Sequence, residues 1–291
     1  MNGKPSSGWV EHTWSTFISR AEDEQMPPPQ GKVFLSTFQR EKFTHFFYHV
    51  LDVNRDHVIS QEDFDDLNKR VRHYMDWSVN SVHYLTLTEV HTLFIQYFLG
   101  QAVKFAQRDE GSDFLPLAGL EEEKAGCEKE SVSIEEWLEV WGETVGHATK
   151  MDDLPMWLQY YPKTLFDTIN RSGSGVITKE ELKLFYTAFL DAGKMQEDAL
   201  IQLTEKSYRA MTSNGDILLN FHIYKLSFLN FLLGRQPNGP GQWIFGEVDR
   251  SGEASLAFQI DYSALMSADV EEECFSQQML EEKGERSYIE V

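Results

Sequence analysis

The chain has 291 residues and a formal net charge of −21. An excess of carboxylates on that scale argues against nucleic acid as a partner, whose phosphates need Lys and Arg, and equally against an anionic membrane surface. Cations and basic proteins remain as natural partners, and a composition of 41% hydrophobic and 13% aromatic residues, with 20 Phe, supplies a core large enough for one large domain or two small ones. Cys127 and Cys274 form no disulfide framework, which fits a reducing, cytoplasmic setting. Met1 to Val10 shows no basic stretch leading into an apolar run, so no secretory leader is expected. No apolar stretch reaches the ~18 residues of a membrane span, so no membrane insertion is expected either.

In chain order, residues 1–33 stand apart. Trp9, Val10, Trp14, Phe17 and Ile18 recur on one face at helical spacing, and Met26-Pro27-Pro28-Pro29-Gln30 follows as a stiff extended spacer. The pattern predicts a short amphipathic helix on a tether, which docks on the protein's own body or on a protein partner. From Phe34 the apolar spacing is helical throughout. It predicts eight helices over 34–51, 62–77, 85–107, 134–145, 153–169, 179–191, 196–211 and 221–233, arranged as pairs around short loops. Pro237 to Gly241 ends the helical run. Segment 237–291 is an acidic C-terminal extension in which Leu256, Phe258, Ile260 and Tyr262 alternate at strand spacing before an acidic tail, a second candidate contact for a protein partner.

The loops carry the chemistry. Calcium is a hard cation that takes 6–8 oxygens, and a 12-residue loop between two helices supplies them from positions 1, 3, 5, 7, 9 and 12, with a sharp turn at 6. The loop from Asp52 to Asp63 places Asp52, Asn54 and Asp56 at 1, 3 and 5, the Val58 carbonyl at 7, Ser60 at 9 and Asp63 at 12. Ile59 is the apolar position 8, which joins a paired loop. His57 replaces glycine at 6, and Asp63 offers a shorter arm than the usual glutamate. The loop from Asn170 to Glu181 has the same frame with neutral ligands. Asn170, Ser172, Ser174, the Val176 carbonyl and Glu181 would hold the ion, with Gly175 at 6 and Ile177 at 8. Fewer ligand charges mean weaker binding. Two further loops keep the frame without the ligands. Residues 125–136 have Ala125, Cys127 and Lys129 at positions 1, 3 and 5, with Val132 and Glu136 at 8 and 12. Residues 212–223 keep Leu219 at 8 but end in Ile223. Both are read as structural loops that brace a neighbour.

These residues resemble the EF-hand sarcoplasmic calcium-binding proteins of invertebrates and the related calexcitins. The resemblance spans about Phe34 to Gly246. It rests on the Asp52–Asp63 loop, the Glu136-Trp137 exit with Trp141, the hand from Phe166 to Glu181, the hand from Tyr208 to Leu232 with its Asn214-Gly215 turn, and the closing Pro240 to Gly246. It implies an all-α fold of four EF-hands in two pairs, with short β contacts between paired loops, and a cytosolic buffer of calcium with magnesium competing. The extensions and the thinned ligands depart from that pattern.

The domains expected are therefore 1–33, the helix and spacer; 34–148, the first pair of hands; 149–236, the second pair; and 237–291, the extension. The function expected is calcium binding at one strong and one weak loop. The alternative is a calcium-responsive or metal-independent adaptor that kept the fold. No enzyme is expected, since GxxxxGK[ST], GxSxG and HExxH are all absent. Glu41, His45 and His49, four apart on one helix face, raise a secondary transition-metal reading.

Overall fold

The computed structural model describes residues 35–110, 129–190 and 195–248. The expected N-terminal helix, the strand-spaced segment 256–262 and the acidic tail lie outside these residues. Among the described residues there are eight α-helices: α1 (Thr37–Phe46), α2 (Gln61–Tyr74), α3 (Val82–Glu110), α4 (Ile134–Val145), α5 (Met156–Ile169), α6 (Lys179–Phe189), α7 (Glu197–Met211) and α8 (Phe221–Leu233). Two short strands, β1 (Ile59–Ser60) and β2 (Ser131–Val132), make an antiparallel pair. None of the helices is long and apolar enough to cross a membrane.

Most of the helices start where the sequence supplies a capping side chain. Ser36 opens α1 with a reciprocal box, its hydroxyl accepting the Gln39 amide at 3.2 Å while Gln39 Oε1 accepts the Ser36 amide at 3.1 Å. Ser133 and Glu136 repeat the device at α4, and Thr178 and Glu181 repeat it at α6. Several boundaries differ from the periodicity. Helix α5 begins at Met156 rather than 153, because Pro155 serves as its N-cap and Met151–Asp153 closes a separate 3₁₀ turn. Helix α3 extends the expected span at both ends. The last turn before the first loop, Phe47–Leu51, widens to a π turn.

The loops pair as the apolar eighth positions require. Ile59 faces Val132 and Ser60 faces Ser131 in the β1–β2 ladder. Val176 bridges Asn220, and the Ile177 amide donates to the Leu219 carbonyl at 2.9 Å. All four apolar residues, Ile59, Val132, Ile177 and Leu219, are fully buried. The first two helix-loop-helix units thus form one pair and the last two another.

One continuous core joins the pairs. Helix α3 is its spine. Phe94 lies against Trp157 of α5 at 4.4 Å between ring centroids, and against Trp137 of α4 at 5.8 Å. Polar ties cross the same boundary. His91 of α3 holds Asn68 Oδ1 of α2 at 2.6 Å and the Tyr161 hydroxyl of α5 at 3.1 Å. Arg70 donates from α2 to the Ala188 and Phe189 carbonyls at the end of α6. Buried Lys42 of α1 donates to the Phe231 and Gly234 carbonyls that end α8, and burial pushes its ammonium well below the ordinary lysine range. Its charge lies where the helix dipole is negative. The closing turn after α8 inserts Phe245 into the core, stacked on Phe46 at 4.4 Å.

Candidate metal centre

The first loop links α1 to α2, and its backbone carries two left-handed residues, Arg55 (φ 63°) at position 4 and His57 (φ 68°) at position 6. The third loop, linking α5 to α6, has the same conformation at the same positions, Gly173 (φ 69°) and Gly175 (φ 81°). Glycine adopts it freely, and Arg55 and His57 adopt it against a steric cost. The two loops therefore share one backbone course despite different residues at these turns. His57 is steadied by an edge-on contact of its ring with Tyr48, centroids 5.9 Å apart.

Asp63 closes the first loop. Its Oδ1 accepts the Val53 and Asn54 amides at 3.1 and 3.4 Å, and its Oδ2 accepts the Ser60 amide at 2.9 Å and hydroxyl at 3.0 Å. Asp56 accepts the Val58 amide at 3.0 Å and the Asn54 side-chain amide at 3.0 Å. Asp52 accepts the His57 amide at 3.3 Å through Oδ2, while its buried Oδ1 has no hydrogen-bond partner. Burial pushes the Asp52 carboxyl above the usual range; the His57 amide opposes this, and the charges of Asp63 and Asp56 add to it. A buried carboxylate oxygen without a donor is destabilising by itself. Hard oxygen donors of this kind suit calcium or magnesium. Asp56 and Asp63 engage the loop's own N–H groups, so among the described residues no three His, Cys, Asp or Glu side chains are gathered as a ready cluster.

The third loop closes on itself through neutral groups. The Ser174 hydroxyl lies 2.8 Å from the Val176 carbonyl and 3.2 Å from Asn170 Oδ1, and Ser172 Oγ lies 3.5 Å from the same Asn170 oxygen. Glu181 accepts the Ser172 amide at 2.8 Å and the Thr178 amide at 2.9 Å. Burial raises the Glu181 carboxyl, but these hydrogen bonds outweigh it and hold the group below its ordinary range.

The other two loops differ from these. In the second, residues 125–128 lie outside the described residues. The exit is described: Lys129 Nζ donates to Glu136 Oε1 at 2.7 Å. In the fourth, the final position Ile223 is buried in the core, and a 3₁₀ turn at Ser213–Gly215 replaces the open ligand-bearing course. The Glu41, His45 and His49 stripe is not a gathered cluster either. His45 Nε2 hydrogen-bonds the Phe245 carbonyl at 3.0 Å, and the His45 and His49 rings pack on each other, centroids 4.7 Å apart. Sequence reasoning missed the Lys129–Glu136 pair. The signal was present, a basic residue at position 5 facing an acidic one at 12.

No protein-family model matches the chain. Two sarcoplasmic calcium-binding protein groups of Branchiostoma lanceolatum (I, III and IV; and II, V, VI and VII) are each 26% identical over 193 residues, covering 62% of this chain and 92% of the relative. The solved structure of a sarcoplasmic calcium-binding protein from amphioxus superposes with a TM-score of 0.52 at 23% identity, covering 73% of this chain and 98% of that one. The chain is similar to sarcoplasmic calcium-binding proteins. Its four helix-loop-helix units are EF-hands in two pairs, and the two-stranded ladder is the contact between paired loops. In this EF-hand frame Asp52–Asp63 is the first hand's loop and Asn170–Glu181 the third's.

Proposed function

We propose that this protein binds calcium through the first hand, with Asp52, Asn54, Asp56, the Val58 carbonyl, Ser60 and Asp63 as ligands. The observation that carries the reading is Asp52. Its Oδ1 is buried without a partner at the head of a loop whose turns already follow the same course as the glycine-bearing third loop. A divalent cation there would satisfy that oxygen and offset the mutual repulsion of three carboxylates. Asp56 and Asp63 would exchange amide partners for the ion, with Asp63 still capping α2. The relatives' names describe calcium-binding proteins, which supports the same cation.

The third hand is the weaker site. Asn170, Ser172, Ser174, Val176 and Glu181 bring one carboxylate among them, and the Ser174 hydroxyl already bridges groups that an ion would otherwise join. The role is that of a cytoplasmic buffer rather than an enzyme, with magnesium competing at the first loop. The closed aromatic core supports a protein that does not open on binding. Residues 34–148 and 149–236 act as halves of one body, with 1–33 and 237–291 as extensions available to a protein partner. A specific observation favours the adaptor reading as a second function. Val82, Leu93 and Tyr160 are solvent-exposed around a groove of 430 Å³ between α3 and α5.

Calorimetric titration of the metal-stripped protein with calcium, with and without millimolar magnesium, tests the first reading. Binding that disappears in Asp52→Ala supports it. Absence of binding at millimolar calcium removes it and leaves the adaptor.

A further inference from the structure

The second hand has no acidic residue at positions 1, 3 and 5, yet it keeps a cation of its own. Lys129 stands at loop position 5 and Glu136 at position 12, two places whose side chains converge on the ion in a metal-holding loop. Here the Lys129 ammonium lies 2.7 Å from Glu136 Oε1. The other carboxylate oxygen accepts the Ser133 amide at 3.0 Å, and Ser133 Oγ accepts the Glu136 amide at 3.4 Å. The ammonium therefore meets an acid already fixed at the start of α4. The two side chains are 29% and 26% exposed, more sheltered than the protein's other lysine–carboxylate pairs described. Burial raises the Glu136 carboxyl, and the hydrogen bonds from Lys129 and Ser133 reverse this and hold it below its ordinary range. Directly between the two residues lies β2, which faces β1 of the first loop at Ile59 and Ser60.

We propose that Lys129 is a tethered cation that replaces the metal ion of the second hand, orienting Glu136 and holding β2 as a permanent strand partner for the first loop. Lys129 is then a positioning residue for the calcium site proposed above, and that part of the inference rests on that reading. The consequence is a first pair with a single exchangeable ion. Its partner strand is already held, so calcium enters the first loop without cooperativity from the second. An ordinary surface ion pair contributes little to stability and moves nothing beyond itself. A surrogate ion acts on the strand and on the neighbouring site.

Full-length protein carrying Lys129→Met, Lys129→Arg, Glu136→Gln, or Lys129→Met with Glu136→Gln separates the two. Methionine keeps the apolar stem without the charge, and arginine keeps the charge. In chelator-treated protein, Lys129→Met is expected to lower the melting temperature by about 2–4 °C. Lys129→Arg is expected to restore it, and the double variant to be no less stable than the more damaging single one. In calcium titrations Lys129→Met is expected to weaken the first site by at least about fivefold, and Lys129→Arg to leave it intact. Unchanged melting and unchanged binding in Lys129→Met overturn the inference, as does an arginine variant that behaves like methionine. Should the wild-type chain bind no calcium, the calcium reading fails, and the melting series on metal-free protein decides this inference by itself.

Discussion

At position 57 the chain places a histidine where the loop course demands a left-handed backbone, φ 68°. A side chain in that region costs about 1 kcal/mol, and glycine removes the cost. His57→Gly is therefore expected to stabilise the metal-free protein by about 0.5–1 kcal/mol in urea unfolding, with calcium binding retained. Asp52 behaves oppositely in the two states. Its buried, partnerless oxygen and its neighbours Asp56 and Asp63 disfavour the carboxylate when no cation is present. Asp52→Asn is expected to melt no lower than wild type in chelator, while added calcium no longer raises its melting temperature. A variant that melts lower in chelator and still gains from calcium would remove Asp52 from the site.

Helix starts were legible at the scale of elements because caps are local. Ser36 with Gln39, Ser133 with Glu136 and Thr178 with Glu181 are each three residues apart, and each pair closes within one turn. Thr178 and Glu181 also show how one residue serves two ends: Glu181 caps α6 through Thr178 and closes the third loop through Ser172. Thr178→Ala is expected to cost about 1 kcal/mol of stability, measured by denaturant unfolding of the metal-free protein. The same locality explains the boundaries that periodicity misplaced. An apolar pattern cannot separate a 3₁₀ turn from the first turn of a helix, so periodicity starts α5 at Asp153, the last residue of the Met151–Asp153 turn, whereas the Pro155 cap starts it at Met156.

On the scale of the whole molecule, the two pairs are tied through buried polar groups that no sequence window contains. His91 is the clearest. Completely buried between Asn68 and Tyr161, it is held neutral, its pKa pushed down to about 3 by burial from the ordinary 6.5. A group whose folded pKa is depressed contributes stability that is complete above the unfolded pKa and is lost as pH falls toward the folded one. The protein is therefore expected to lose stability progressively on acidification from pH 6.5 toward about pH 3. Melting curves across that window should show a shallower slope for His91→Leu, even though the variant starts less stable with Asn68 and Tyr161 left without their partner. Equal slopes would mean that other groups govern the acid transition.

The sequence alone determined the helical class, the eight helices and the four loop frames with their apolar eighth positions. Each of these depends on residues within a dozen positions of one another, and periodicity, caps and loop spacing record such relations directly. The tertiary structure decided what those loops present to an ion. It left Asp52 Oδ1 buried without a partner, turned Asp56 and Asp63 onto nearby amides, closed the third loop through its own serine hydroxyls and set Lys129 against Glu136. It also brought Lys42 to the end of α8 and His91 between Asn68 and Tyr161. Such placements depend on which groups the folded core removes from water and which donors remain within reach, and packing across the whole chain sets both.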